Sequence, residues 1–241
     1  MKVSIIIIKT NEEQFRKALQ YINKQSVIDD IEVITIENKN NINYSNAATA
    51  LNDGANQAHG SVLVFMHQDL YLTKTDLIER YYNYLMANVN HIIGVAGARG
   101  DDATISDIFE TENHIKRCTP TNGVAIPVAS LDECLFAMKK ELWDKYKFDE
   151  LTCNDWHCYC MDICFMNTIS GGKNVVVSDE VIHDSIGNPN QIGYLKTIKN
   201  LIKKYKKSGI KRIRGCCINI GCNYFSYYLF CLRCITRRLR K

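Results

Sequence analysis

Val3–Ile8 reads VSIIII and is followed at Lys9–Glu13 by the polar run KTNEE, and this stretch decides the fold. An isoleucine-rich run of this length is too short for a helix and is typical of a strand buried on both faces. Thr10 or Asn11 can cap a helix that continues to Ile22 with its apolar residues at helical spacing. Strand, capped turn and helix together predict the opening unit of an α/β fold.

The same alternation repeats farther along the chain. A second β-branched run covers Ile31–Ile36, a helix is predicted over Ser45–His59 and is stopped by Gly60, and a third buried strand covers Ser61–Met66. Strands that alternate with helices predict a parallel sheet with right-handed crossovers. Ligands of such sheets bind outside the carboxyl ends of the strands, so the polar residues there are candidates for a site. They are Thr10 and Asn11, Glu37 and Asn38, and His67 to Asp69.

The rest of the first 190 residues adds helices and strands around one irregular stretch. Residues 98–130 are polar and lack a clear period, which predicts a flexible segment over the crevice. The other predicted elements are helices at Asp76–Val89, Glu141–Lys145 and Asp155–Ile169, and strands at Ile92–Ala96 and Asn174–Val177. Cys134–Met138 is an apolar run, and Val181-Ile182-His183 follows the last predicted strand.

Composition and charge divide the chain into two parts. With 241 residues, 46% of them hydrophobic, the chain is long enough for a large core, and a disordered protein is excluded. Residues 1–190 carry 16 basic residues against all 26 carboxylates, a net charge of −10, whereas residues 191–241 carry 14 basic residues, a net charge of +14. The sequence therefore predicts an acidic α/β domain over 1–190 and a basic helical tail over 191–241. No apolar run reaches the roughly 18 residues that a membrane-spanning helix needs.

Eleven cysteines invite a disulfide or a zinc hypothesis, and neither fits well. The apolar stretch before Lys9 favours a strand over a signal peptide, so reduced thiols are expected. Only Cys231 and Cys234 have the two-residue gap of a zinc site, and no second such pair or suitably spaced histidine accompanies them. Cysteine as a small buried hydrophobic side chain is the simpler interpretation.

Spacing alone suggests chemistry at His67-Gln68-Asp69, since the chain has no glycine-rich phosphate loop. Residues two apart in an extended segment point to the same side, so His67 and Asp69 could hold one ion. Mg²⁺ and Mn²⁺ accept carboxylate ligands and commonly bridge to phosphates. The alternative, which the spacing fits equally well, is a histidine satisfied at a strand end and an aspartate that caps the next turn.

Several segments, in order along residues 1–190, resemble one family. They are similar to the nucleotide-sugar domain of family 2 glycosyltransferases of the GT-A fold, in the branch with His-Gln-Asp where most members carry Asp-x-Asp. The resemblance implies a Rossmann-like α/β domain with a central, mostly parallel sheet flanked by helices. The segments are Ser4–Glu12, Ala50–Gly60, Val64–Asp69, Ile93–Gly97, Leu131–Lys139, Phe148–Glu150, Trp156–Cys164 and Val181–Gly187.

The resemblance implies an inverting transfer of a sugar from a nucleoside diphosphate sugar to an acceptor hydroxyl. A UDP-sugar of hexosyl or N-acetylhexosaminyl type is the favoured donor, and a glycan or lipid-linked acceptor suggests polysaccharide biosynthesis. Mn²⁺ or Mg²⁺ would stabilise the leaving diphosphate, with Asp69 as the first ligand and His67 and His183 completing the metal site. By the same matching, the nucleotide sugar would be bound or supported by Thr10, Asn11, Glu37, Asn52, His67 and Gln68.

The proton acceptor of this reaction is open. An inverting transferase needs a group, typically a carboxylate, beside the acceptor hydroxyl. The position that matches the family's base is Cys160, and Asp155, His157 or Asp132 could take its place as the catalytic residue. Asp155 could equally be a helix N-cap. A catalytically silent sugar-nucleotide or glycan-binding protein of the same fold is therefore the alternative to an enzyme.

The basic tail has the pattern of a membrane-binding segment. Residues 195–207 place apolar side chains at helical spacing among lysines, and residues 216–232 are rich in aromatic side chains between basic flanks. We expect residues 191–241 to bind an anionic membrane surface, which would make the protein cytoplasmic and peripheral to the membrane. The alternative is a helical hairpin packed on the domain with a solvated basic face. Nucleic acid is a disfavoured partner because no stacking-platform motif occurs.

Overall fold

The computed structural model describes residues 2–100, 103–110, 115–116, 124–177, 180–185 and 191–238. The strands in these ranges are β1 (Val3–Lys9), β2 (Ile31–Glu37), β3 (Val62–Met66), β4 (Leu70–Leu72), β5 (His91–Gly94), β6 (Ala96–Ala98), β7 (Thr104–Ser106), β8 (Ile108–Glu110), β9 (Ile115–Lys116), β10 (Ile126–Val128), β11 (Ser130–Leu131), β12 (Leu135–Lys139), β13 (Lys173–Val176), β14 (Val181–His183), β15 (Arg212–Gly215) and β16 (Ile218–Gly221). The helices are α1 (Glu12–Ile22), α2 (Ala47–Gln57), α3 (Leu77–Ala87), α4 (Lys140–Tyr146), α5 (Tyr159–Ile169), α6 (Gln191–Tyr205) and α7 (Tyr224–Arg238).

The centre of the molecule is a seven-stranded sheet in the order β10-β13-β5-β12-β3-β1-β2. Five of its strands, β2, β1, β3, β5 and β13, run in one direction, while β12 and β10 run against them. The predicted α/β alternation with a mostly parallel sheet is confirmed. The antiparallel insertion of β12 between β3 and β5 is the departure from it.

Helices cover both faces of this sheet, which explains the uninterrupted isoleucines of β1. Ile5, Ile6 and Ile7 have no exposed surface because β1 lies between β2 and β3 and is covered from both sides. Ile5 and Ile7 pack in the core layer of α1 and α3, and Ile6 packs in the layer of α2, α4 and α5. Burial of alternate side chains in two different layers removes the polar face that a half-exposed strand would show.

Two predicted helix boundaries are settled by local contacts. Asn11 caps α1, because its side-chain oxygen accepts hydrogen bonds from the amides of Glu13 and Gln14. α2 ends at Gln57, before Gly60, so the prediction that this glycine stops the helix is wrong. Gly60 serves a close approach instead, since a Cβ there would lie 2.6 Å from the amide nitrogen of Ser4 in β1.

The helix predicted from Asp155 begins only at Tyr159. Its N-cap position is held by Cys158, whose φ of 70° lies in the left-handed region and breaks the helix there. The interpretation of Asp155 as a helix N-cap is therefore wrong. Residues 155–158 form an irregular turn that leads into α5.

The prediction of an irregular segment over residues 98–130 is wrong in its described part. β7, β8 and β10 lie within it, and residues 101–102, 111–114 and 117–123 of the predicted segment lie outside the described residues. β8 pairs with β14, which in turn pairs with β4. This second sheet, in the order β4-β14-β8-β9, brings β14 and its histidine to the end of β3.

α6 packs on the domain through the apolar face that its sequence pattern assigned to a membrane. Ile198, Leu201 and Ile202 have no exposed surface and share a core cluster with α5, α7 and the β15–β16 hairpin. The expectation that residues 195–207 offer a free apolar face is wrong, and the alternative of a helix packed on the domain is correct for this segment. The division of the chain at residue 190 stays a prediction. Among the described residues, no helix has both the length and the apolar character needed to cross a bilayer.

A buried ion pair fastens α6 to the domain. The Lys204 ammonium lies 2.9 Å from both carboxylate oxygens of Asp162 in α5 and 2.8 Å from Asp149. The Tyr205 hydroxyl donates a further hydrogen bond of 2.7 Å to Asp162, whose side chain is 1% exposed. The basic segment thus supplies the counter-charge for a carboxylate in the acidic domain.

Lys204→Met should destabilise the protein by about 3 kcal/mol, because it leaves the buried Asp162 carboxylate without its counter-charge. Burial raises the pKa of Asp162, so this carboxyl can take up a proton when its counter-charge is removed. Proton uptake limits the loss of folding stability in the variant. Urea unfolding at neutral pH, followed by circular dichroism, measures the effect. Lys203→Met removes an exposed lysine from the same helix and should cost less than about 0.5 kcal/mol. Equal losses in the two variants would show that the ion pair does not hold α6.

Candidate active site

A cavity of about 230 Å³ opens at the carboxyl ends of β1 and β3. This is the edge of the sheet at which the sequence predicted a site, because neighbouring parallel strands end there together. The wall is apolar towards the sheet and polar towards the strand ends. It is lined by Ile8, Thr10, Asn41, Ala47, Leu51, Phe65, Met66, His67, Gln68, Asp69, Glu133, Trp156 and Tyr159.

Gln68 joins the two strand ends. Its side-chain oxygen accepts hydrogen bonds from the amides of Thr10 and Asn11, at 2.8 and 2.9 Å, and its side-chain nitrogen donates to the Thr10 hydroxyl at 2.6 Å. The structure therefore brings three of the predicted nucleotide-sugar residues together. These three hydrogen bonds hold the Gln68 side chain against the turn after β1, and they help to position its neighbours His67 and Asp69.

Three predicted residues of the nucleotide-sugar group, Asn11, Glu37 and Asn52, lie outside the cavity lining. Glu37 ends β2 and forms an ion pair of 2.5 Å with Lys9. Asn52 is buried in α2, where it binds both backbone groups of Phe148 and the Glu150 carboxylate. Asn52 therefore anchors residues 148–150 on α2, and its support of a loop at the nucleotide stays a prediction.

His67, Asp69 and His183 come together as the resemblance implied. One ligand atom from each lies within 4.8 Å of the others. Asp69 Oδ1 lies 3.3 Å from His183 Nε2 and 3.9 Å from His67 Nδ1. The pairing of β14 with β4 causes this, because it sets His183 opposite Leu70, the neighbour of Asp69.

The protonation of this cluster suits a divalent cation. Burial and the neighbouring His183 lower the pKa of His67. Burial opposes ionisation of Asp69, but the two histidines hold the pKa of that carboxyl below its usual value. At neutral pH the cluster therefore offers a neutral imidazole and a carboxylate, which are the forms that bind a metal.

An orphaned ring nitrogen shows that a metal fits this donor set. His183 Nε2 is buried and has no hydrogen-bond partner in the part of the chain that the structure describes, although it lies beside Asp69 Oδ1. A buried polar atom left without a partner costs free energy, and a bound cation removes that cost. Two imidazole nitrogens with one carboxylate oxygen favour a first-row transition metal over Mg²⁺.

Glu133 is a functional candidate that the sequence motifs did not single out. It lines the cavity, and its Oε1 is buried and has no hydrogen-bond partner among the described residues. Burial, and then the neighbouring Asp132 carboxylate, raise the pKa of Glu133 to about 8, although the backbone N–H groups of residues 158–160 favour its charged form. The signal in the sequence is an acidic pair, Asp132-Glu133, between two apolar runs.

Two of the three predicted catalytic residues surround Glu133. Asp132 accepts a hydrogen bond of 3.0 Å from the amide of Cys134, and His157 Nδ1 lies 3.9 Å from Glu133 Oε2. Burial lowers the pKa of His157. These contacts group Asp132 and His157 with a carboxylate that lines the cavity.

Asp155 and Cys160 face other parts of the molecule. The Asp155 carboxylate accepts from the amide of Trp156 at 2.7 Å and lies so close to α6 that a Cβ on Gly193 would clash with it. Cys160 has no exposed surface and packs in the core beside Cys164, and burial raises the pKa of its thiol. The position that resembles the family's base is therefore a core position in this chain.

Asp69→Asn should weaken Mn²⁺ binding by about 100-fold or more, because it removes the carboxylate shared by both histidines. Titration calorimetry with Mn²⁺ alone measures the binding. Asp76→Asn, at an exposed carboxylate paired with Arg80, is the matched control and should leave the affinity unchanged.

The Mn²⁺ affinity should also depend on pH in one direction. Since the pKa of His67 lies below its ordinary value of 6.5, His67 is neutral at neutral pH and gains a proton only in more acid solution. We expect constant affinity between about pH 7 and pH 8 and a fall below about pH 6.

An Asp69→Asn variant that binds Mn²⁺ as the wild type does would remove the cluster from consideration as the metal site.

Residues 4–205 match the family model described as "Glycosyltransferase like family". No match was found among curated proteins. The structure is similar to GalNAc-T7, crystallised with UDP, GalNAc and Mn²⁺, with a TM-score of 0.64 and 13% identity over 86% of this chain and 49% of that one. It is also similar to residues 1–349 of S. aureus TarS in complex with UDP-GlcNAc (TM-score 0.63, 12% identity, 87% of this chain and 68% of that chain) and to the mannosyltransferase PcManGT from Pyrobaculum calidifontis in complex with GDP-Man and Mn²⁺ (0.60, 13%, 86% and 64%).

At 12–13% identity, these structures are similar to this chain in fold. The chain spans about half the length of GalNAc-T7. The shared architecture is a mostly parallel sheet flanked by helices, as in GT-A glycosyltransferases. The family match starts in β1 and ends with α6, so it includes the cavity, the cluster of His67, Asp69 and His183, and Glu133. On this match the chain belongs to the glycosyltransferase-like family, with the GT-A fold.

Proposed function

We propose that the protein is a metal-dependent, inverting glycosyltransferase that moves a sugar from a nucleoside diphosphate sugar to a hydroxyl group of a glycan or lipid-linked acceptor. The observation that carries the proposal is the cluster of His67, Asp69 and His183 beside the cavity of a glycosyltransferase-like chain. A UDP-sugar of hexosyl or N-acetylhexosaminyl type is the favoured donor, and Mn²⁺ is the favoured ion. Crystals of GalNAc-T7 with UDP and Mn²⁺, and of TarS with UDP-GlcNAc, support these choices.

Charge explains why the donor site needs a cation. Residues 1–190 carry a net charge of −10, which opposes the approach of a diphosphate. A bound divalent ion would act as a Lewis acid on the leaving diphosphate. Asp69 and the two histidines would hold it at the end of β3, while Thr10 and Asn41 offer polar groups to the rest of the donor.

Glu133 is the group that we propose as the proton acceptor. The acceptor oxygen forms a bond to the anomeric carbon as the bond from that carbon to the diphosphate oxygen breaks, and the hydroxyl proton passes to Glu133 Oε1. This oxygen is free of hydrogen-bond partners among the described residues, so it can accept a hydrogen bond from the incoming hydroxyl. A pKa of about 8 places the carboxylate near the basicity that a general base needs at neutral pH. The rate should therefore rise as the pH rises towards 8, because only ionised Glu133 accepts the proton.

The burial of Cys160 favours a second candidate function. Because the position that resembles the family's base lies in the core, a sugar-nucleotide-binding protein without turnover is the competing proposal. The two differ in the fate of the bound donor. The enzyme releases nucleotide, whereas the binding protein holds the donor intact.

Glu133→Gln should lower kcat for nucleotide release from UDP-sugars with Mn²⁺ by about 100-fold or more, because it removes the proton acceptor and keeps the side-chain size. The affinity for UDP with Mn²⁺ should stay unchanged, since the proposed donor contacts lie elsewhere. Glu141→Gln changes an exposed glutamate in α4 and serves as the matched control. A panel of UDP-sugars, with and without added acceptor sugars, measures release and calorimetry measures binding.

The outcomes separate the proposals. UDP-sugar binding without transfer or slow donor hydrolysis would favour the binding protein over the enzyme. If Glu133→Gln releases nucleotide at the wild-type rate, Glu133 is not the proton acceptor. His157 and Asp132 are then the nearest alternatives.

A further inference from the structure

α7 carries large apolar side chains on two faces. One face packs on the domain, where Tyr227 is buried and Phe230 and Cys231 adjoin the core cluster shared with α6. The other face is open to solvent. It consists of Phe225, Tyr228, Leu229, Leu232 and Ile235, which are 75%, 54%, 42%, 58% and 55% exposed.

The spacing of these five residues makes one continuous stripe along the helix. They occupy positions i, i+3, i+4, i+7 and i+10, which fall on the same side of an α-helix. We call this set the α7 stripe. Twelve large hydrophobic side chains are exposed among the described residues, and five of them belong to this stripe. Isolated exposed apolar side chains are normal on soluble proteins, whereas a contiguous patch marks an interaction surface.

Exposed basic residues lie on α7 and on the segment between α6 and the β15–β16 hairpin. Arg233 is exposed on the same helix, and the Lys206 ammonium lies 4.7 Å from the centre of the Tyr224 ring at the start of α7. Lys207 and Lys211 are also exposed, on the segment that precedes the β15–β16 hairpin. Residues 191–241 contain no carboxylate side chain. The occupant of this surface must therefore be both apolar and anionic.

An anionic lipid surface has this combination of properties, and the α7 stripe of a second copy does not. A symmetric contact through the α7 stripe would bring two segments of net charge +14 together without a carboxylate between them. A bilayer offers an acyl boundary for the apolar side chains and phosphates for the basic ones. Phe225 and Tyr228 are of the aromatic type that settles at the headgroup level.

We propose that α7 docks flat on an anionic membrane surface, with the α7 stripe inserted at the acyl boundary and exposed basic side chains of the same C-terminal segment on the lipid phosphates. The α7 stripe takes the membrane-binding role that the sequence pattern assigned to α6, because the apolar face of α6 is buried in the domain. The proposal does not rest on sugar transfer. It gives a glycosyltransferase-like domain a means of working on a surface where lipid-linked acceptors reside.

Flotation of the full chain with vesicles tests the proposal. Wild-type protein should float with vesicles of phosphatidylcholine and phosphatidylglycerol, float far less with pure phosphatidylcholine, and dissociate as salt is raised. Phe225→Ser/Leu232→Ser should lower the partition coefficient by about tenfold or more, because it removes two inserted side chains. Val89→Ser/Leu151→Ser removes two exposed apolar side chains away from α7 and should float as the wild type does.

Three results would overturn the docking proposal: wild-type protein that stays with neither vesicle, a Phe225→Ser/Leu232→Ser variant that floats undiminished, or a wild-type dimer by light scattering that this variant dissociates. Equal urea midpoints for the two double variants confirm that each is folded. Nucleotide release is measured without vesicles, so failure of lipid binding leaves the proposed sugar transfer to be decided by its own assay.

Discussion

The site depends on the shared register of β1 and β3. Ile6 lies opposite Phe65, so β3 ends at Met66 while β1 continues beside it to Lys9. Gln68 then bridges the remaining gap by binding the backbone of the turn after β1. This bridge holds the turn after β3, together with two backbone hydrogen bonds, from the amide of His67 to the carbonyl of Cys134 and from the amide of Asp184 to the carbonyl of Asp69.

The antiparallel strand β12 adds the other half of the site for the same geometric reason. It pairs with β3 so that Leu135 lies opposite Met66, and an antiparallel strand begins where its neighbour ends. The amide of His67 donates to the carbonyl of Cys134 at 2.9 Å, which ties the entry of β12 to the exit of β3. Glu133 therefore enters the cavity from the segment just before β12, a strand that runs antiparallel to both of its neighbours.

Local patterns explain which parts of this arrangement are readable from the sequence. The strands β1 to β3, the helices between them and the polar strand ends follow from short runs and capping residues, which are properties of neighbours in the chain. Glu133 and His183 depend on pairings between distant strands, which no local pattern shows. His183 is predicted only through the family resemblance, and Glu133 is not predicted. The apolar face of α6 is misassigned from sequence because periodicity shows that a face will be covered and does not show by what. The helix start predicted at Asp155 is wrong because of Cys158, whose left-handed conformation has no signal in its residue type.

The proposed role of Glu133 as the base also concerns Cys160, the position that resembles the family's base. The backbone N–H groups of residues 158–160 lie near the Glu133 carboxylate at the start of α5, where the helix dipole favours negative charge. A base carried on α5 itself would share that environment, but in this chain the side chain of Cys160 turns into the core. A carboxylate that reaches the same helix terminus from β12 keeps the electrostatic setting while changing the element that supplies it. Burial and the Asp132 carboxylate raise the pKa of Glu133, and the N–H groups at the helix terminus lower it. The resulting pKa of about 8 therefore depends on where the carboxyl lies between Asp132 and the start of α5.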